Sequence, residues 1–425
     1  MDSRLRYLCI DLKSFYASAE CVARGYDPNE CRLVVADPAR GPGALCLAVS
    51  PALRALGVPN RCRVRDIPSS INYVIAPPRM RYYMDVSAQI VGIYLRWVSP
   101  EDLHVYSVDE CFIDAGPYLA LYNNDACGLS HTLMEAVQEQ TGICATAGVG
   151  TNLFLAKVAL DLFAKHSPDH VAVLDEDSYK MRVWTHQPIT DVWGVGPGSA
   201  RRLARCDVHN MGGVALMDEQ VLQHELGVKA EVLRDHAWGL EPCTMDEIHA
   251  WQPSTRSKSS SQILPRDYRI DEVRVILREM VEALSLELVG ERLVCGGMSL
   301  DVSLGGDAWE GRDVWPHVSA SCTLDAPTSS RHELVQQVFV LLERLVGPGQ
   351  SARRLGITLC NLQDEHGFTP PLPKDPAAEE RERAAAEAQV AVRQRFGKNA
   401  LVHGTSLLDC ATGRERNVYV GGHHE

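Results

Sequence analysis

Two adjacent acidic residues in an apolar segment constrain this chain more than any other feature. Residues 104–114 read His-Val-Tyr-Ser-Val-Asp-Glu-Cys-Phe-Ile-Asp, and this alternation predicts a β-hairpin with Asp109 and Glu110 at its turn. Isolated acids at strand ends are usually solvated turn residues. Here the two acids stand between Val108 and Phe112, where neighbouring carboxylates repel each other unless a cation bridges them. The segment therefore predicts a cation site.

A third acid follows an apolar segment near the N-terminus. Residues 7–11 (Tyr-Leu-Cys-Ile-Asp) predict a buried strand that ends at Asp11, and a helix is expected over residues 15–22. Phosphoryl transfer by two metal ions requires oxygen ligands that converge on Mg²⁺ ions about 4 Å apart. Asp11, Asp109 and Glu110 meet this requirement if their strands are neighbours.

The composition is that of an ordinary globular protein with several domains. The chain has 425 residues, 45% hydrophobic and 23% charged, which exceeds the length that one hydrophobic core usually serves. No apolar run is long enough to cross a bilayer, and the N-terminus lacks a signal-peptide pattern. The 14 cysteines are scattered without a Cys-x-x-Cys pair, which favours reduced, mostly buried thiols. We therefore expect a cytoplasmic protein that does not associate with membranes.

The net charge opposes nucleic-acid binding. It is −13, whereas DNA binding requires Lys and Arg to neutralise phosphates. Acidic residues cluster in 375–387, however, and basic residues lie in other segments that are candidates for DNA contact. These basic residues are Arg201, Arg202, Arg205, Arg256, Lys258, Arg266 and Arg269. Local patches therefore leave DNA binding open.

The N-terminal half predicts one mixed sheet backed by helices, with a small inserted subdomain. Residues 32–49 predict two short strands, and Ser50 followed by Pro51 predicts the start of a helix. Residues 143–149 predict a further strand, followed by a helix through Lys157.

The C-terminal half predicts a small helical domain, a linker and an α+β domain. Short helices with glycines between them begin at residue 189, and a Pro-, Ser- and Thr-rich stretch over 241–261 is typical of a linker. The elements predicted beyond it are a helix over 272–289, a strand over 294–304, a helix over 331–345 and a strand over 354–359. Residues 370–395 combine a Pro-rich stretch with a charged, Ala-rich helix.

Three segments, in order and at matching spacing, resemble the palm and finger motifs of Y-family DNA polymerases. They are residues 11–20 (Asp-Leu-Lys-Ser-Phe-Tyr-Ala-Ser-Ala-Glu), 106–110 (Tyr-Ser-Val-Asp-Glu) and 148–157 (Gly-Val-Gly-Thr-Asn-Leu-Phe-Leu-Ala-Lys). The resemblance covers residues 7–362 and is strongest to the UmuC-like ultraviolet-damage-repair proteins of Gram-positive bacteria. It implies a template-directed, low-fidelity translesion polymerase of the SOS response. The implied substrates are primer-template DNA and dNTPs, and the implied cofactor is a pair of Mg²⁺ ions, for which Mn²⁺ can substitute.

The same resemblance implies an α+β multidomain fold shaped like a right hand. The implied parts are a palm (1–22 and 79–170) with a mixed sheet plus helices, small fingers (23–78), a helical thumb with a helix-hairpin-helix (171–241), a linker (242–258), an α+β little finger (259–362) and a C-terminal extension (363–425).

Roles for single residues also follow from the resemblance. Asp11, Asp109 and Glu110 become the metal ligands, together with the backbone carbonyl of Leu12. The ions would activate the primer 3′-hydroxyl and neutralise the triphosphate, so no protein nucleophile is required.

Four residues match positions that bind the incoming nucleotide. Tyr16 matches the steric gate that excludes a 2′-hydroxyl, with Phe15 beside it, and Arg54 and Lys157 match cations that contact the triphosphate. Without the motifs they would be interpreted as core aromatics and surface basic residues. Pro51 stands where better-known members carry a phosphate-binding tyrosine, so that contact is missing or replaced.

Two segments match DNA-contacting positions. The sequence Gly-Val-Gly-Pro-Gly resembles a helix-hairpin-helix turn, in which backbone N–H groups approach a phosphate, and Arg201 lies on the following helix. The glycines of this turn are Gly194, Gly196 and Gly198. Arg256 and Lys258 lie in a serine-rich segment that is either a flexible linker or a template contact of the little finger.

Other partners and two rival functions stay open. The Gln-Leu-x-Leu-Phe peptide that binds the sliding clamp in UmuC-like relatives is not found, so residues 363–372 or an internal loop would have to replace it. A recombinase or accessory SOS proteins are further partners that the resemblance allows. The rivals are a catalytically silent DNA-binding protein of the same fold and a two-metal nuclease or DNA lyase.

Overall fold

The computed structural model describes residues 5–253, 256–306, 316–367, 376–420 and 423–424. The chain divides into two units, one formed by Met1–Trp251 with His423–Glu425 and the other by Gln252–Gly422. Within the described ranges, no helix is long and apolar enough to cross a membrane.

The first unit alternates strands and helices before it becomes wholly helical. Its elements are β1 (Tyr7–Leu12), α1 (Phe15–Ala23), β2 (Leu33–Val35), β3 (Ala48–Val49), α2 (Pro51–Ala55), β4 (Val74–Ala76), α3 (Met80–Tyr94), β5 (Leu103–Val105), β6 (Glu110–Asp114), α4 (Ala126–Thr141), β7 (Ala145–Gly150), α5 (Leu153–Leu162), β8 (Val171–Leu174), α6 (Glu176–Val183), α7 (Pro197–Ala204), α8 (Met211–Ala215), α9 (Glu219–Leu226), α10 (Ala230–Ala237) and α11 (Met245–Ala250).

A five-stranded sheet with the order β5-β6-β1-β7-β8 forms the centre of this unit. β1 is antiparallel to both β6 and β7, and β7 is parallel to β8, so the sheet is mixed, as predicted. Because side chains alternate along a strand, Leu8 and Ile10 pack in the core beneath α3 and α4, while Tyr7 and Cys9 pack on the opposite face against α5. The period of two therefore puts Asp11 on the α5 face.

The inserted subdomain has its own small sheet, with the order β3-β2-β4, and its own core. Ser50 caps α2 by accepting a hydrogen bond from the Leu53 N–H, with Pro51 as the first helical residue, as predicted.

The stretch interpreted as a linker contains a helix. Thr244 and Glu247 form a capping box that starts α11, and Met245 is buried against the central sheet. The first strand of the second unit then begins at Lys258, inside the same stretch. In this segment threonine caps a helix and serines lie in a strand, which the composition alone did not indicate.

The second unit is an α+β structure. Its elements are β9 (Lys258–Arg269), α12 (Ile270–Glu291), β10 (Leu293–Leu304), β11 (His317–Thr328), α13 (Arg331–Leu345), β12 (Ser351–Asp364), α14 (Pro376–Phe396) and α15 (Gly413–Arg416). The sheet has the order β11-β10-β12-β9, and α12 and α13 supply most of the helical side of its core. β9 and β11 were not predicted, because their exposed positions carry serine and threonine and leave no continuous apolar run.

The C-terminal extension, apart from its last three residues, belongs to this second unit. α14 packs on α12, where Glu282 accepts hydrogen bonds from Gln389 (3.1 Å) and Arg393 (2.8 Å). Of the segment considered for sliding-clamp binding, residues 363–367 end β12 and its following turn, and residues 368–372 lie outside the described part.

Candidate active site

The sheet brings the three acids together. Asp11 is directly opposite Glu110 in the antiparallel register of β1 and β6, and the Leu12 N–H donates to the Asp109 carbonyl at 2.9 Å. The hydroxyl of Ser107 donates to Asp109 Oδ1 at 2.7 Å and so orients this carboxylate. The predicted convergence of the acidic residues is therefore present in the backbone.

The acids lie in a strongly charged and partly desolvated environment. Burial raises the pKa of Asp11 to about 6, and the charges of Asp109 and Glu110 act in the same direction against the opposing effect of Lys165. Like charges directly opposite each other on paired strands are destabilising. The protein alone thus leaves a surplus of negative charge that a cation would neutralise.

Two lysines partly compensate this surplus. Lys157 on α5 is buried and lies 2.7 Å from Glu110, while Lys165 lies 3.7 Å from Asp11 and is more exposed. Asp161 contacts both lysines, at 3.1 Å and 2.9 Å.

The acids provide the hard oxygen donors that Mg²⁺ prefers, and their mutual repulsion fits a site built for cations. As the side chains stand, no group of three His, Cys, Asp or Glu residues in the described ranges is arranged to hold a metal ion. Glu110 is turned toward Lys157 and also accepts a hydrogen bond from the Cys9 thiol at 3.0 Å. Glu110 must therefore turn toward Asp11 and Asp109 before the three carboxylates share a cation.

An aromatic stack flanks the acids. The Tyr16 ring lies 4.4 Å from the Tyr83 ring, at an angle of 16° between the planes. Burial raises the pKa of Tyr16, and the charge of Asp109 acts in the same direction. Phe15 is buried in the core beneath the sheet, so Tyr16 is the accessible ring of the pair.

A buried network fixes the partner ring of this stack. The Tyr83 hydroxyl donates to Glu20 at 2.9 Å, and the Arg79 guanidinium donates to both oxygens of Glu20 at 2.8 and 3.0 Å. Although burial opposes it, hydrogen bonds from Arg79, Arg24 and Tyr83 lower the pKa of Glu20, so this carboxylate stays charged.

The two cations predicted to contact a triphosphate lie in different surroundings. Arg54 is exposed on α2, whereas its neighbour Leu53 is buried and anchors that helix. Lys157 is buried, with an 8% exposed side chain, and its ammonium forms ion pairs with Glu110 and Asp161. Of the two lysine side chains beside the acids, that of Lys165 is the more exposed.

The glycine-rich turn precedes α7 and is open to solvent. Gly194 has φ +89°, which favours glycine, while Gly196 and Gly198 would have nothing within 4 Å of an added Cβ. Internal packing therefore does not explain the last two glycines, whereas the close approach of an external group would. Arg201 is exposed on α7.

In the second unit, the two predicted DNA contacts also differ. Arg256 is exposed, and its carbonyl accepts a hydrogen bond from the Leu362 N–H at 3.1 Å. The Lys258 ammonium is bound to Glu291 at 2.7 Å, so it would have to exchange this partner for a phosphate.

Sequence reasoning missed Asp161, Lys165 and Tyr83. The available signal was the spacing of four residues from Lys157 to Asp161 and again from Asp161 to Lys165, because it places these charges on one side of a helix. No comparable local signal pointed to Tyr83.

Comparisons with known proteins agree with the motifs. The model of the impB/mucB/samB family matches residues 10–161, and that of its C-terminal domain matches residues 255–369. UvrX of Bacillus subtilis (strain 168), named for UV-damage repair, is 28% identical over 423 residues, which cover 99% of this chain and 98% of that protein. DNA polymerase IV 2 of the same organism is 27% identical over 428 residues, with 98% of each chain covered.

A solved structure has the same fold. A Y-family DNA polymerase chimera superposes with a TM-score of 0.62 at 18% identity, covering 84% of this chain and 99% of the chimera. The predicted α+β polymerase fold is thus confirmed. The two matched models describe one family and together span more than half of the sequence. The chain therefore belongs to the impB/mucB/samB family and has the fold of a Y-family DNA polymerase.

Proposed function

We propose that this protein is a template-directed DNA polymerase that performs low-fidelity translesion synthesis in DNA repair. The observation that carries the proposal is the register of the central sheet, which sets Asp11 opposite Glu110 and bonds Leu12 to Asp109. Relatives named DNA polymerase IV, similar over nearly their whole length, support the same reaction.

The proposed metal site consists of Asp11, Asp109, Glu110 and the Leu12 carbonyl, and it holds two Mg²⁺ ions, with Mn²⁺ as a substitute. When bound, such ions lower the pKa of the primer 3′-hydroxyl and neutralise charge on the triphosphate. The paired strands β1 and β6 set Asp11 opposite Glu110, directly after Asp109, which lowers the cost of assembling the site. Without metal, Lys157 binds Glu110 in a buried ion pair, and Glu110 would turn from Lys157 toward the other two acids when the ions bind.

The proposed nucleotide site combines one ring and two cations. Tyr16, supported from behind by Tyr83, excludes a sugar with a 2′-hydroxyl. Arg54 and Lys165 contact the triphosphate, since both residues are exposed. We assign Lys157 to Glu110 instead, because its ammonium is buried among carboxylates.

The proposed DNA contacts are independent of base sequence. Backbone N–H groups around Gly196 and Gly198 and the side chain of Arg201 contact phosphates in the thumb. Arg256 and Lys258 contact the template backbone from the little finger, once Lys258 leaves Glu291. Such contacts suit an enzyme that accepts any template.

The deciding experiment is a labelled primer-template incubated with Mg²⁺, with and without dNTPs. Growth of the primer identifies a polymerase, shortening a nuclease, and retention without change a silent DNA-binding protein. Asp109→Asn and Glu110→Gln should each reduce extension by on the order of a thousandfold or more, because each removes a charged ligand. Asp85→Asn, an exposed acid on α3, is the matched control. Extension by either active-site variant at the rate of the control would refute the assignment.

The cytoplasm is the proposed site of action, because the substrate is the cell's DNA. A sliding clamp, a recombinase or accessory SOS proteins are proposed partners that addition to the same extension assay would reveal as a longer product.

A further inference from the structure

A network of ion pairs links the acids to α5 and to the turn that follows it. Lys157 contacts Glu110, Asp161 contacts Lys157 and Lys165, and Lys165 approaches Asp11. Asp11 and Glu110 are opposite each other on β1 and β6, so the five residues form a ring of neighbouring charges. Within this network, Asp161 is the residue that has no role in the proposed mechanism.

Asp161 joins the two lysines through both of its carboxylate oxygens. Oδ1 accepts hydrogen bonds from Lys165 at 2.9 Å and from Lys157 at 3.2 Å, and Oδ2 lies 3.1 Å from Lys157. The three residues are spaced by four along α5 and the turn that follows it, so they share one side.

The two lysines depend on Asp161 to different degrees. Lys157 has Glu110 as a second partner, and burial limits its movement. The Lys165 side chain is 36% exposed, and its other acidic contact in the described ranges is Asp11, at the longer distance of 3.7 Å. A lysine side chain has large rotamer freedom, so loss of Asp161 would release Lys165 to solvent or let it close on Asp11.

We propose that Asp161 is a positioning residue for the incoming nucleotide, which holds the Lys165 ammonium beside the acids but apart from Asp11. An ammonium held in this way is ready to meet a triphosphate and does not compete with a cation for Asp11. This inference rests on the proposed polymerase function, because it assigns Lys165 to the triphosphate.

The test separates nucleotide binding from chemistry. A primer-template with a dideoxy-terminated primer binds the next dNTP without reacting, so dNTP affinity is measured directly in the presence of Mg²⁺. Asp161→Asn should weaken this affinity and raise the KM for dNTP by about tenfold each, while kcat changes by less than about threefold. Asp161→Glu retains the charge and should recover most of the affinity, and Asp85→Asn should leave it unchanged.

Unchanged dNTP affinity in Asp161→Asn would overturn the proposal. A second result would also overturn it. If Asp161→Asn lowers both kcat and the melting temperature, and Asp161→Glu restores neither, Asp161 supports only the fold. Failure of the wild-type protein to extend any primer would refute the polymerase function instead, and the dideoxy complex would still decide whether Asp161 affects nucleotide binding.

Discussion

The Lys157 ammonium lies 2.7 Å from the Glu110 carboxylate, and both side chains are at least nine-tenths buried. The pair joins α5 to β6, so an acid of the proposed metal site is bound by a residue of a different element. Breaking a buried pair costs more than its formation contributes, because the remaining charge stays buried alone.

Lys157→Met should therefore lower the free energy of unfolding by about 3–5 kcal/mol. Denaturant unfolding in EDTA measures this effect without a contribution from bound metal. Lys165→Met is the matched control, since the Lys165 side chain is more exposed and its loss should cost less. Equal stability of both variants would show that the Glu110 pair is not a structural element.

Asp11→Asn should stabilise the metal-free protein at neutral pH. Burial, with Asp109 and Glu110, raises the pKa of Asp11 from 3.8 to about 6. Between these values the folded state binds more protons than the unfolded state, so the free energy of unfolding falls as the pH rises through this window.

The Asp11→Asn variant has no carboxylate to ionise at this position. Its free energy of unfolding should therefore be higher than that of the wild type by up to about 3 kcal/mol at pH 7.5, and only slightly higher at pH 4. Denaturant unfolding of both proteins in EDTA at the two pH values provides the comparison. A difference that is independent of pH would contradict the raised pKa.

Tyr16→Ala should raise the ratio of ribonucleotide to deoxyribonucleotide incorporation by on the order of tenfold or more, because the ring no longer occupies the space of a 2′-hydroxyl. Single-nucleotide incorporation kinetics measure this ratio. Tyr16→Phe retains the ring stacked on Tyr83 and should keep the wild-type selectivity. An unchanged ratio in the alanine variant would exclude Tyr16 as the gate.

Gly198→Ala should separate stability from DNA binding. Nothing lies within 4 Å of an added Cβ, and alanine in α7 should stabilise the fold by about 0.5–1 kcal/mol. DNA affinity, measured by fluorescence anisotropy, should nevertheless fall several-fold, because the methyl group obstructs a phosphate at the turn. Gly194→Ala, at φ +89°, should instead destabilise the protein. Full DNA affinity in Gly198→Ala would argue against the hairpin contact.

Glu282→Gln should loosen the C-terminal extension from α12. Glu282 is 7% exposed and binds Arg393 at 2.8 Å, so its loss leaves a largely buried guanidinium without a counter-charge, at a cost of about 2–4 kcal/mol. Limited proteolysis should then cleave the extension sooner than in the wild type. Glu287→Gln, an exposed acid on the same helix, is the control, and equal cleavage of both variants would contradict the prediction.

Local patterns were sufficient for the acidic strands and failed for the polar ones. The alternation around Asp109 and the apolar run before Asp11 predict strands correctly, because both faces of β1 and β6 are buried and the strands are therefore mostly apolar. β9 and β11 escaped prediction because serine and threonine on one side conceal the same period. The helix within 241–261 escaped because its capping residues resemble those of a linker.

The sequence alone determined the family and the strands that carry the three acids, because motifs and periodicity are local properties of the chain. Only the tertiary structure decided that Lys157 is bound to Glu110, 47 residues earlier, and that Lys165 has the more exposed side chain. Burial and ion pairing depend on which distant segments fold together, and they change what an otherwise identical ammonium can do.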